Sequence, residues 1–251
     1  MIFIFILSVI QGITEFLPIS SSSHLILVAD YLQYDNQNLS IDVSLHIGSF
    51  LAVIYYFKEE LFSFLKNKIL FLKIFFSSIP IMIVGFILVK YDLINQLRSL
   101  EIIGWTTIIF GVLLYVSDKS ETFKNIQSNF DYKSAIFIGL FQILSLIPGV
   151  SRSGIVITAS RFLSFDRVDS SKIAFYLSIP ALAGASFLGI KDILETNLNF
   201  NLIFLFSIIF SFFISYLTIK YFLIYVKKFD LKFFVYYRIF LALILFVIIY
   251  S

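Results

Sequence analysis

The chain has 251 residues, of which 59% are hydrophobic, 19% aromatic and only 14% charged, with a net charge of +3 and a mean hydropathy of +0.96. A soluble domain is about half apolar and a quarter charged, so this composition excludes a water-soluble enzyme and predicts an all-α integral membrane protein. The absence of cysteine excludes disulfides and thiol chemistry, and basic residues dispersed through short inter-helix segments give nucleic-acid binding no support.

Charge-free runs supply the candidate helices. The first, Ile2 to Thr14, lacks a basic n-region and a small-residue cleavage site, so it reads as part of the mature fold. Phe16 to Ala29 follows, then Val43 to Phe57, Ile74 to Val89, Ile102 to Ser117, Ser134 to Ser151, Ile173 to Ile190, Thr196 to Ile219 and Ile239 to Ser251. Several fall short of the roughly 20 residues of a straight span. Pro18 and Pro148, each set among serines, break the first pair and the sixth run into re-entrant hairpins.

The two breaks are related by a shift of 130 residues, which superposes Pro18 on Pro148, Ser21 on Ser151 and Ser23 on Ser153. Three spans lie between the hairpins, and an odd number inverts the second hairpin relative to the first. The sequence therefore predicts an inverted repeat, about 1–117 and 134–251, with about six transmembrane helices and two re-entrant hairpins. On this topology one face collects 15 of the 19 basic residues, from Lys58 to Lys232 and Arg238, and the other only Lys90, Arg98 and Lys191. The crowded face is expected in the cytoplasm, which turns the first hairpin outward, the second inward and both chain ends outside.

The tips carry the polar chemistry. Gln11, Glu15, Ser20, Ser21 and His24 crowd the first, and Pro148-Gly149-Val150-Ser151-Arg152-Ser153-Gly154 forms the second. Such groups among hydrocarbon mark a functional site by default. Ser20 or Ser21 caps the half-helix continuing to Ala29, and Ser151 caps the other. Two half-helix N-termini meeting near the midplane offer donors and partial positive charge to an anion, and Arg152 adds a guanidinium suited to phosphate. Gln11 and Glu15, four apart, share one helix face. A carboxylate facing an anion site must be protonated, bridged by a cation or employed as a base, and His24 is a second candidate base or nucleophile. His46 could face either tip.

Gln-Gly-Ile-Thr-Glu-Phe-Leu-Pro-Ile-Ser-Ser before His24, followed by Pro-Gly-Val-Ser-Arg-Ser-Gly and Ser178-Ile179-Pro180-Ala181, resembles the undecaprenyl-diphosphate phosphatases, also called bacitracin resistance protein. The resemblance extends along nearly the whole chain. It implies removal of the terminal phosphate of undecaprenyl diphosphate, recycling a lipid carrier of envelope glycans at the outer side of the bacterial cytoplasmic membrane. It also implies a divalent cation, magnesium or calcium, and a homodimer.

Carried onto this chain, the resemblance makes Glu15, His24 and Arg152 catalytic. It gives the diphosphate to Ser20, Ser21, Gly149, Ser151, Arg152 and Ser153, and the cation to Glu15 and Gln11. His46 and Thr158 are expected to support these residues from behind. His24 is expected either to activate water or to attack the terminal phosphorus. The chain departs from the family pattern at Ser22 and Ser23, where Thr-Gly is usual, and at Val156, where a threonine is frequent. A lipid-phosphate flippase or anion transporter using the same midplane site is the alternative reading.

Overall fold

The structure, a computed structural model, describes residues 2–21, 23–24, 39–66, 68–91, 93, 97, 99–195 and 202–250. The chain is all-α. Ten helices of nine residues or more are described: α1 (Ile2–Thr14), α2 (Leu39–Tyr56), α3 (Lys58–Lys66), α4 (Lys68–Lys90), α5 (Leu100–Asp118), α6 (Tyr132–Ile143), α7 (Arg152–Phe162), α8 (Arg167–Glu195), α9 (Leu202–Val226) and α10 (Lys232–Tyr250). Five of them, α4, α5, α8, α9 and α10, are long and apolar enough to cross a bilayer, and α2 is a shorter apolar helix. This is a multi-pass membrane protein. Large apolar side chains such as Ile83, Trp105, Phe213 and Phe240 stand exposed on the outer faces of the spanning helices, as helices facing lipid require.

The helix starts follow from local capping. Ser99 accepts from the Ile102 N–H at 3.2 Å, and Asp131 from the Ser134 N–H at 2.8 Å. α6 and α7 have 12 and 11 residues, each about 16–18 Å long at 1.5 Å per residue. Each crosses little more than half of a roughly 30 Å hydrocarbon layer. The chain turns between them through a 3₁₀ turn (Leu144–Leu146) and Pro148-Gly149, as a re-entrant hairpin does. The first hairpin shows its tip through His24; the expected limb from Leu25 to Ala29 lies outside the described residues.

The packing is reciprocal. α1 lies on α9 as α6 lies on α4, while α2 pairs with α8 and α5 with α10. Gly139 permits the α6–α4 approach, because a Cβ there would fall 2.2 Å from the Ser77 carbonyl oxygen. α7 is enclosed, with every residue from Ser153 to Arg161 buried, and Phe16 of the first tip packs edge-on against Phe175 of α8.

Three expectations need adjustment. The last span begins at Lys232 rather than Ile239, so Arg238 belongs to the membrane interior and not to the basic loops; it is 0% exposed. Its partners are backbone carbonyls supplied by both hairpin tips, which is why a charge can sit there. Arg161, also assigned to the basic face, is 3% exposed beside Asp118. The amphipathic α3 was not anticipated, because its charges end the preceding apolar run.

Asp118 closes the basic end of the bundle. Its carboxylate accepts from Arg167 Nε and Nη2 at 2.7 and 3.0 Å and from the Leu231 N–H at 3.0 Å. Asp118→Ala leaves Arg161 buried without a carboxylate, a change of roughly 3–5 kcal/mol for a buried pair. The expected result is a clear drop in melting temperature in detergent, followed by tryptophan or tyrosine fluorescence.

Candidate active site

Each tip ends one half-helix and starts the next through a serine with positive φ, Ser20 at 73° and Ser151 at 66°. A non-glycine residue held there carries about 1–3 kcal/mol of strain and requires fixed surroundings. Ser151 Oγ caps α7 by accepting from the Gly154 N–H at 3.2 Å. Gly149 has φ 92°, and a Cβ there would meet Thr106 Oγ1 at 2.1 Å, so both conformation and space demand glycine. Ser153 Oγ donates to the Leu17 carbonyl at 2.7 Å and stitches the tips together.

Across this seam the two expected charges meet. Arg152 Nη2 lies 2.6 Å from Glu15 Oε1, joining residues 137 positions apart. Ser21 Oγ and Gln11 Nε2 both donate to Glu15 Oε2 at 3.0 Å. The Gln11 amide also reaches His46 Nδ1 at 3.1 Å. Among the described residues, two buried polar atoms here lack a hydrogen-bond partner: Arg152 Nη1 and Gln11 Oε1. Unmet buried groups at a site call for a ligand, one donor for an anion and one oxygen for a donor or cation.

A cavity of about 550 Å³ opens on this cluster. Glu15, Ser20, Ser21, His46, Ser145, Ser151 and Arg152 form its polar end. The remainder runs between α4, at Ile81, Met82, Gly85, Phe86 and Val89, and α8, from Pro180 to Leu188. A charged head with an apolar tail matches both ends, and the volume lies within the usual range for ligand pockets.

The expected residues are thus partly gathered. Glu15, Ser20, Ser21, Ser151, Arg152 and His46 border the cavity, and Gln11 stands buried behind Glu15. Gly149, Ser153 and Thr158 do not border it. His24 does not either: Nδ1 donates to the Ser20 carbonyl at 2.6 Å, which leaves Nε2 to accept from the Tyr237 hydroxyl at 2.6 Å. Among the described residues no group of three or more His, Cys, Asp or Glu side chains could hold a metal. Glu15 and Gln11 Oε1 fit only a hard cation that takes most of its oxygens from substrate and water.

The sequence reading missed Arg238. It donates to the carbonyls of Pro18 (3.3 Å), Val150 (3.1 Å), Gly149 (2.9 Å) and Thr107 (3.1 Å). The available signal was a charge followed immediately by the apolar run from Ile239.

Two interrupted half-helices, joined tip to tip around an arginine–glutamate pair at the polar end of an apolar cavity, define a multi-pass membrane protein built to receive an amphipathic anion. The profile of the family described as Bacitracin resistance protein BacA matches residues 4–244, and the chain belongs to that family. It is 51% identical over 249 residues to the undecaprenyl-diphosphatase of Pelagibacter ubique, covering 99% of this chain and 97% of that one. The undecaprenyl-diphosphatases of Alteromonas mediterranea and Elusimicrobium minutum are each 40% identical, with 96% of this chain covered in both cases and 96% and 95% of theirs.

Proposed function

We propose that this protein is an enzyme that dephosphorylates undecaprenyl diphosphate to undecaprenyl phosphate. The observation that carries the reading is the Arg152–Glu15 pair at the polar end of the cavity, with Arg152 Nη1 lacking a hydrogen-bond partner among the described residues. Family membership and relatives along the full chain support the same substrate.

In this mechanism the diphosphate takes Arg152 through Nη1 and displaces Glu15 Oε1 from Nη2, with Ser20 and Ser151 as further donors. Glu15 Oε2 already holds the Ser21 hydroxyl at 3.0 Å, so the released carboxylate is placed to accept that proton. Ser21 Oγ then bonds to the terminal phosphorus as the bridging P–O bond breaks, and undecaprenyl phosphate leaves. Water, deprotonated by a base, next cleaves the Ser21–phosphate ester. His24 keeps the Ser20 peptide in place in this reading, since both its ring nitrogens are engaged behind the cavity. Trapping phosphoserine at residue 21 supports attack by Ser21; trapping phosphohistidine at residue 24 overturns it.

A divalent cation, magnesium or calcium, would be held by Glu15 and Gln11 Oε1 and would offset charge on the diphosphate oxygens. Chelation is expected to slow phosphate release at least about tenfold. Gln11→Glu adds a carboxylate and is expected to lower the magnesium concentration for half-maximal rate by roughly tenfold; titration of the rate with magnesium reads both.

The two halves, about 1–117 and 134–251, act as one site in this reading, supported by the reciprocal packing of α1 on α9 and α6 on α4. With Arg238 removed from the loops, the Lys/Arg asymmetry still favours a site that faces outward, and family membership favours the bacterial inner membrane. Purified protein in detergent should release phosphate from undecaprenyl diphosphate; no release from folded protein would sink the proposal.

A further inference from the structure

Arg238 is the largest fully buried side chain among the described residues. It is completely buried on a membrane span, and among the described residues its four hydrogen bonds all run to backbone carbonyls, none to a carboxylate. Burying a charge without a counter-ion carries a penalty of several kcal/mol. Closing a bundle by packing would be done more cheaply by an apolar residue, so the guanidinium must do something else.

What it does is sort the peptide groups of the tips. The described peptide bonds are all trans, so each carbonyl drawn to Arg238 directs the following N–H the opposite way. Gly149 and Val150 turn their carbonyls to Arg238, and Pro148 turns its own to Thr106 Oγ1 at 2.6 Å. The N–H groups of Gly149, Val150 and Ser151 therefore point away from α5 and α10. Val150 N–H is taken up by the Ile147 carbonyl at 3.3 Å; Ser151, whose N–H follows the Val150 carbonyl, borders the cavity. A fixed positive charge on these carbonyls polarises the peptides and strengthens the donors on their far side. The Pro18 carbonyl ties the first tip to the same guanidinium. Its neighbour on α10, Tyr237, holds His24, whose ring lies parallel to the tyrosine at 6° and anchors the Ser20 carbonyl. Adjacent residues of one helix thus hold the positive-φ serines of the two tips, Ser20 and Ser151, in place.

We propose that Arg238, assisted by Tyr237, is a positioning residue of the phosphatase site, which fixes both tips so that the Ser151 N–H and the serines Ser20, Ser21 and Ser151 face the diphosphate, and lends its charge to that end of the cavity. This rests on reading the cavity as the diphosphate site.

The test compares wild type with Arg238→Lys, Arg238→Ala, Thr106→Val and Tyr237→Phe in detergent. Melting temperature, Kd for a methylene-bridged farnesyl diphosphonate, and KM and kcat for phosphate release are measured per folded molecule. Lysine keeps the charge but cannot bridge the carbonyls, and is expected to raise Kd and KM about thirtyfold and lower kcat about a hundredfold. Added guanidinium should restore part of the binding to Arg238→Ala. Tyr237→Phe is expected to lower kcat about tenfold with Kd unchanged. Loss of melting temperature with wild-type Kd and KM in the folded fraction would mean a purely structural arginine and overturns the proposal. Should neither Arg238 variant fold, Thr106→Val decides: weakened binding supports the proposal and wild-type Kd overturns it. Wild type that binds the diphosphonate but releases no phosphate refutes the phosphatase reading while the binding comparison still judges Arg238; wild type that binds none refutes the diphosphate pocket and this proposal together.

Discussion

Arg152→Ala is expected to reduce kcat/KM for phosphate release about a thousandfold or more. Two effects combine. The diphosphate loses its only cationic side chain at the described polar end of the cavity, and removing a single preorganised donor from a charge-stabilising site already lowers rates about a hundred- to a thousandfold. Glu15, 8% exposed, is also left without the Arg152 guanidinium and, among the described residues, keeps the hydrogen bonds of Gln11 and Ser21. Arg152→Lys should recover no more than about tenfold of the loss, because an ammonium cannot hold Glu15 through one nitrogen and offer a second in the same plane. Phosphate release over a range of undecaprenyl diphosphate concentrations measures both variants. A folded Arg152→Ala protein with wild-type kcat/KM would remove Arg152 from the site.

Much of this site is legible in the sequence, because it is made by breaks in hydrophobicity. Pro18 and Pro148 interrupt apolar runs at a common spacing, and the odd number of spans between them brings the two breaks together at one depth. That reasoning places Glu15 and Arg152 on opposite walls. Their direct contact is a matter of side-chain geometry that spacing does not reach. An Arg152 with no acid within a helical turn reads as a lone ligand for an anion, whereas its partner lies 137 residues away.

The less legible residues share one cause: sequence spacing does not distinguish the front of a tip from its back. Ser151 and Ser153 are equivalent as small hydroxyl residues, yet one borders the cavity and the other donates to the Leu17 carbonyl behind it. His24 looks like a base by composition, and in the fold it braces Ser20 against Tyr237. Arg238 falls near the start of a span, where basic residues ordinarily belong to a loop. Only the carbonyls of Pro18, Gly149, Val150 and Thr107, gathered from three separate segments, explain a guanidinium there.

Glu15→Gln should separate binding from chemistry in a way that Arg152 variants cannot. In the free protein the Glu15 carboxylate occupies Arg152 at 2.6 Å and so competes with the incoming diphosphate for the same guanidinium. An amide of equal size relieves that competition and removes a negative charge from the pocket, so Kd for a non-hydrolysable diphosphonate, measured in chelator where no cation links residue 15 to the ligand, is expected to stay level or fall. The amide cannot take the Ser21 proton, and loss of a positioned base typically lowers the chemical step by about a hundred- to ten-thousandfold; kcat should fall about a thousandfold. Ser21→Ala should lower kcat by a similar factor, and the double variant should be little worse than either single one, because residues that act in one step are not additive. His24→Ala should be separable from this pair, adding its own loss to that of Glu15→Gln, since it acts on the Ser20 peptide rather than on the transferred proton. A Glu15→Gln enzyme within tenfold of wild-type kcat, or one whose Kd in chelator rises as steeply as its kcat falls, would mean that Glu15 serves to bind the substrate and that another group takes the proton.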